Sequence, residues 1–410
     1  MSPAPPAVED EWRSGIHWHI DPLRPDVFIA TDVRLAGADG GTVVARHSAA
    51  AYGRWEPYAT AFGEVTIVGR TAQWHAGAAD IPVTGSGVDA RLVRGYSGFV
   101  GLVSALPALW KQFSRLGDSS SIFIGRPPEP LSLLLFLRAR AVKARHIAVV
   151  ATEPEQFMRG VVPGPVGRLA GRALGGAVRH VVRNSVAVVY VTQEWLQSRY
   201  PATAGTPTIG RPNVVLSDAD FARRPRRVPR SESGFALVSI GNVNSRAKGA
   251  EDLVKVVEEL RRAGHDATLR VAGGGSRLSL LRRHASRQGL AEHVHFEGHV
   301  SSRAQIRDLL DHADVYLTMS RAEGLSRSTV EAMARGLPVV STRAGGISEL
   351  VRAQQLVPIG DPSAAARAIV AIVRDRHAYA EASTASLTAA RAAASSAEPQ
   401  RLSEFLSALT

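Results

Sequence analysis

Apolar runs too short for membrane spans recur along this chain, each closed by a glycine or polar turn and followed by a segment of helical period. That alternation limits the fold more than any other feature. The run at 26–33 (DVFIATDV) reads as a buried strand, the turn Gly37-Ala-Asp-Gly40-Gly41 follows, and a helix is expected over 42–52. Further strands are expected at 65–68, 121–124, 147–151 and 186–191, with helices at 100–116, 131–145 and 166–183. A second series starts near 234, with strands at 235–240, 269–272, 294–296 and 315–317. Uninterrupted apolar strands alternating with helices predict parallel sheets covered on both faces, hence an α/β chain of two Rossmann-like, doubly wound domains. In such sheets ligands gather at the carboxyl ends of the strands.

The expected division is a leader at 1–24, a first domain at 25–216, a polar and basic linker at 217–233, a second domain at 234–385, and C-terminal helices at 386–410. With 410 residues, 45% of them hydrophobic, there is room for two real cores. No cysteine is present, so disulfides and thiolate metal sites are excluded, and a reducing cytoplasm is the expected location. No run reaches the eighteen or so apolar residues of a spanning helix, and the start MSPAPPAVEDEW lacks the features of a signal peptide.

Net charge is +12, which suits nucleic acid, anionic lipid or phosphorylated small molecules. The arginines are spread along the chain without interleaved aromatics, so no nucleic-acid partner is expected. The segment 166–183 gathers Arg168, Arg172, Arg179, His180 and Arg183. A solvated helix face, an anionic membrane surface at which the protein sits peripherally, and an acceptor's phosphate all remain open as its meaning.

The stretch 317–350 carries the chemistry. Glu323 and Glu331 are separated by seven residues, and a helix starting at Ser326 or Ser328 leaves Glu323 in the loop and Glu331 inside the helix. Gly324 lets backbone amides approach an anion where the helix dipole favours one. Two glutamates on a solvated helix are the plain alternative.

Taken with Ala332-Met333-Ala334, Gly336, Pro338-Val339-Val340, Gly345-Gly346 and Glu349, the stretch resembles the donor site of the retaining family 4 glycosyltransferases, of the GT-B fold. The resemblance implies two domains facing across a cleft and transfer of a sugar from a nucleotide-sugar donor, with the donor as substrate and no cofactor or metal. It assigns Glu323 to the transferred sugar, the amides near Gly324 and Leu325 to the distal phosphate, and Glu331 to the ribose. Lys248 and Arg246 would meet the phosphates, Gly241 and the Gly273-Gly274-Gly275 turn the nucleotide, and His299 the base. Asn242, Ser326 and Arg327 depart from the family pattern, which bears on the arginine's role and on sugar preference. Asp218-Ala-Asp220 is expected to be a solvated pair and not a metal motif. On the acceptor side Gly40, Gly41, Arg126 and Glu153 are candidates, with Asp39 beside them. The acceptor itself stays open among glycans, lipid-linked intermediates and natural products. Two alternatives share the fold, a nucleotide-sugar epimerase and a non-catalytic partner subunit. The apolar stripe Leu402, Phe405, Leu406 and Leu409 must be buried, either within the second domain or, as in relatives of this kind whose last helix crosses back, on the first.

Overall fold

The computed structural model describes residues 25–409 apart from 47–49, 73, 75, 78–79, 163 and 228–233. The expected leader and the end of the expected linker therefore lie outside the described residues.

The first sheet contains nine strands: β1 (Val27–Gly37), β2 (Val43–Ala45), β3 (Val65–Thr71), β4 (Ile81–Pro82), β5 (Val88–Val93), β6 (Ile122–Gly125), β7 (Arg145–Val150), β8 (Ala187–Tyr190) and β9 (Thr208–Gly210). Its parallel body runs β5-β3-β1-β6-β7-β8-β9, and β2 and β4 add an antiparallel flap on the far end of β1. A second sheet of six parallel strands follows, made of β10 (Gly234–Ile240), β11 (Asp266–Ala272), β12 (Val294–Gly298), β13 (Val315–Thr318), β14 (Val339–Thr342) and β15 (Leu356–Val357). Its order, β12-β11-β10-β13-β14-β15, repeats that of the first: the chain builds outward from its first strand, then returns to build on the other side. Each sheet thus has a switch point, β1/β6 and β10/β13, where a crevice opens beyond the strand ends.

Every residue of β6, β8, β13 and β14 is buried, as two-sided cover by helices demands. Those helices are α1 (Glu56–Phe62), α2 (Gly98–Phe113), α3 (Pro130–Ala141), α4 (Pro154–Val161), α5 (Pro165–Arg183) and α6 (Trp195–Arg199) in the first half. In the second they are α7 (Ala250–Arg262), α8 (Leu278–Arg287), α9 (Arg303–Asp311), α10 (Arg327–Ala334), α11 (Pro362–Arg374), α12 (Arg376–Ser396) and α13 (Pro399–Ser407).

One expected element is corrected. No helix spans 42–52; Val43–Ala45 is a strand paired with the end of β1. Gly40 and Gly41 both take positive φ, +74° and +79°, the geometry of a tight hairpin. With β-branched Val43 and Val44 next in line, the chain folds back as a strand.

The last two helices part company. α12 packs on the second domain, where Tyr379 Oη donates to Asp314 O at 2.9 Å and Ser383 Oγ to Gly336 O at 2.6 Å. α13 returns to the first: Leu402 and Leu406 are buried in one core with Val27, Ile29, Tyr58 and Phe62, and Arg145 Nη1 donates to Leu409 O at 3.1 Å.

Candidate active site

At the second switch point three strand-end turns are knitted together by backbone. The turn after β10 is tied to the glycine turn after β11 by Val243 N donating to Gly274 O (3.1 Å) and Ser276 N to Asn244 Oδ1 (2.8 Å). Gly273 N in turn donates to Gly298 O at the end of β12, at 2.7 Å. A Cβ at Gly273 would collide with Gly241 O, so that position requires glycine. Gly274 packs beside His299, whose side chain is exposed.

The same turn carries Lys248 to the end of β13. Gly249, at φ +64°, lies too close to Met319 O for any side chain, and Arg321 N donates to Ala247 O at 2.7 Å. Held this way, Lys248 Nζ lies 2.7 Å from Glu323 Oε1, which also accepts from Ser320 Oγ at 2.8 Å. Side-chain exposure is 37% for the lysine and 10% for the glutamate, so the ammonium is open to solvent while the carboxylate is largely enclosed. Arg246 is exposed, and its charge acts on Glu251, which is paired to Arg277.

Ser326 caps α10, its Oγ accepting from Thr329 N at 3.4 Å and from Thr329 Oγ1 at 2.9 Å. Glu331, one turn into α10, is half-buried, and among the described residues its carboxylate accepts no hydrogen bond. Burial pushes its carboxyl above the ordinary range, against the pull of Arg327 and Arg303. Both carboxylates act on the buried phenol of Tyr316, which donates to Ser328 Oγ (2.9 Å) and Ile240 O (3.2 Å). Glu323 and Glu331 thus both lie near Tyr316, one paired to a cation and one bare among the described residues.

Asp220 is not the solvated acid expected. Its carboxylate accepts from Ser217 N and Oγ, both at 2.8 Å, and from Arg307 Nη1 at 2.9 Å. Burial alone would raise it, but those bonds hold it below the usual range. Among the described residues no three His, Asp or Glu side chains converge as metal ligands.

The first domain comes close to this site. A Cβ at Gly324 would run into Ala151 O, and one at Gly346 would meet Thr192. Glu349 reaches across to the start of α6, accepting from Gln193 N at 2.7 Å, Glu194 N at 3.1 Å and Trp195 N.

Of the acceptor-side candidates, Arg126 lies at the end of β6, with Nε 3.8 Å from Glu129 Oε1. Glu153 is corrected: its side chain is fully buried, accepting from Tyr200 Oη at 2.8 Å and from Gln156 N as the cap of α4. A carboxylate so enclosed holds the fold and does not face a substrate. Gly40 and Gly41 sit at the exposed hairpin tip.

Sequence reasoning missed the groups around Arg126 at the β1/β6 switch point. Asp32 lies where β1 shifts register; its Oδ1 accepts from Tyr96 Oη at 2.7 Å, and its backbone N donates to Glu129 Oε2 at 3.3 Å. Arg70 stacks on Tyr96 at 4.5 Å and donates from Nε to Asp32 O at 2.8 Å. Burial raises the carboxyls of both Asp32 and Glu129. It lowers the guanidinium of Arg54 to about 10, with Arg126 and, from across the crevice, Arg327 adding to the effect. The available signal was Thr31-Asp32, a polar break inside an apolar run.

The sequence model of the family described as "Glycosyl transferases group 1" matches residues 234–375. Residues 234–375 are thus similar to group 1 glycosyltransferases, and the whole chain has the GT-B fold. A GDP-mannose-dependent alpha-(1-6)-phosphatidylinositol monomannoside mannosyltransferase of Mycolicibacterium smegmatis is 32% identical over 257 residues, which are 57% of this chain and 61% of the relative. The chain thus aligns with less than two thirds of that relative's length. Among solved structures, sucrose-phosphate synthase from Thermosynechococcus elongatus superimposes with a TM-score of 0.65 at 16% identity, over 94% of this chain and 98% of that one. Anabaena Alr3699/HepE in complex with UDP and glucose gives 0.60 at 16%, covering 94% and 99%. These findings favour glycosyltransferase function with a nucleotide-sugar donor over the epimerase and partner-subunit alternatives.

Proposed function

We propose that the chain moves a sugar from a nucleotide-sugar donor, held at the β10/β13 switch point, to a hydroxyl acceptor held at β1/β6, with retention of anomeric configuration. The observation that carries this reading is the Lys248–Glu323 pair, a cation and a carboxylate fixed at a strand-end crevice. Departure of the nucleoside diphosphate leaves negative charge on its terminal oxygen. A lysine held in place by backbone can meet that charge without reorganising, and Arg246 adds a second cation. Glu323 then faces the hydroxyls of the transferred sugar, and the bare carboxylate of Glu331 receives the ribose hydroxyls. With side-chain cations in this role the reaction needs no metal, so activity should persist in chelator.

The M. smegmatis relative is GDP-mannose-dependent and the HepE crystals hold UDP, so GDP-mannose and UDP-glucose are the donors to test first. The experiment is calorimetry with UDP and GDP, followed by product NMR with the donor that binds. Retained anomeric configuration is expected. An inverted product, an epimerised donor, or no binding of either diphosphate would overturn the reading.

A further inference from the structure

Helix α2 is apolar on two sides. Its inner stripe, Ala105, Leu109 and Phe113, is buried in a core with Phe28, Val68 and Leu135. Its outer stripe has no such cover: Phe99 is 80% exposed, Val100 81%, Val103 49%, Leu106 38% and Trp110 43%. Phe99, Val103, Leu106 and Trp110 fall at helical spacing, on one face. Surface helices ordinarily turn charged residues outward, and a contiguous exposed apolar face of this kind marks an interaction surface.

The charge around this face selects the partner. No acidic residue occurs between Asp89 and Asp118, whereas Arg94, Lys111 and Arg115 lie in that interval and are exposed. Among the described residues none of these three is paired to a carboxylate. On a chain of net charge +12, this basic surround opposes a second copy of the same face. It attracts an anionic one, and aromatic and aliphatic side chains bordered by Lys and Arg are the composition that settles into a lipid interface. No helix among the described residues is long and apolar enough to cross a membrane, so the contact is with the surface.

We propose that the outer face of α2 docks onto an anionic lipid bilayer. This differs from the surface the basic segment 166–183 suggested, where Arg179 is paired to Glu155 at 3.2 Å. It also has a geometric consequence. The start of α2 is tied to the first switch point, since Arg34 Nη2 donates to Ser97 Oγ at 2.6 Å and the adjacent Tyr96 donates to Asp32. Docking sets the acceptor end of the crevice beside the lipid headgroups. The docking does not rest on the transfer reading, and its test requires no turnover.

The experiment is co-sedimentation of the full chain with phosphatidylcholine vesicles, with and without phosphatidylglycerol. Binding is expected to the phosphatidylglycerol vesicles, weakening as salt is raised. Phe99→Asp and Val100→Asp should each lower partitioning at least tenfold while leaving the circular dichroism spectrum and thermal midpoint unchanged, because neither side chain packs in a core. Should one variant misfold, the other decides. Lys111→Ser combined with Arg115→Ser should remove the preference for phosphatidylglycerol. Binding that is absent, or unchanged in a folded Phe99→Asp or Val100→Asp variant, overturns the proposal. So does sedimentation of the parent as a dimer that either variant dissociates.

Discussion

The two sheets share one strand order and one kind of switch point, yet their crevices are furnished differently. At β10/β13 a lysine and a glutamate are already paired, and the turns around them are fixed by backbone contacts that admit only glycine. At β1/β6 the charges come from separated elements, Asp32, Arg70, Glu129 and Arg126, and burial holds both carboxyls above their usual range. The contrast teaches that topology supplies the location while local chemistry supplies the ligand. A rigid crevice with a preset cation suits a constant group such as a diphosphate. One assembled from separate arginines and partly buried acids can be retuned by single substitutions.

The largest effect should come from breaking the preset pair. Lys248→Ala should weaken nucleoside diphosphate binding by about 1.5–3 kcal/mol and lower turnover by about 10² to 10³. Calorimetry that finds the affinity unchanged would move the phosphate site elsewhere. Next, the two carboxylates of the second crevice should separate kinetically. Glu323→Gln should reduce kcat about tenfold or more with little change in KM, whereas Glu331→Gln should raise KM with kcat nearly kept. Identical defects in both variants would dissolve the distinction between sugar and ribose contacts.

In the first half the comparison is sharpened by a negative result. Glu153→Gln replaces one of two buried acceptor oxygens with an amide donor, so either Tyr200 Oη or Gln156 N loses its partner, at a cost of about 1–3 kcal/mol in denaturant unfolding. Diphosphate affinity should stay as it was. If turnover collapsed while stability held, Glu153 would belong to the acceptor site after all.

The smallest effect is one of pH. Because burial raises the Glu331 carboxyl, the unfolded chain gives up this proton at lower pH than the folded one, and ionisation favours unfolding. Glu331→Gln should therefore stabilise the protein at pH 7 by about 1 kcal/mol. That advantage should fade as the pH falls below the ordinary carboxylate range, where both states are protonated. A difference in Tm that grew on acidification would contradict the direction assigned to Glu331.

How much of this the sequence made legible follows from where the interactions lie along the chain. The parallel layout was readable because β10, β13 and β14 are built on short apolar runs with glycine or polar turns behind them. Ser326, Gly324, Glu323 and Glu331 sit in one short stretch, so their grouping could be read locally, and Lys248 stood out as a cation at a turn. Harder to read was anything assembled from distant pieces. Tyr96 meets Asp32 across 64 residues, and no periodicity announces that. A glycine pair such as Gly40-Gly41 serves strand-to-helix turns and hairpins alike, and only the pairing of Val43 with β1 decides for the hairpin. Glu153 looked available because its position at a strand end was visible and its enclosure by Tyr200 was not.

The separate docking of the last two helices has a consequence for recombination. With α12 on the second domain and α13 on the first, the first domain is built from two segments distant in sequence. A single crossover near residue 217 would exchange strands and helices but strand Leu402 and Leu406 against a foreign α1. A working chimera must bring 399–409 along with its own 25–216, so the first domain of this architecture is inherited through two breakpoints.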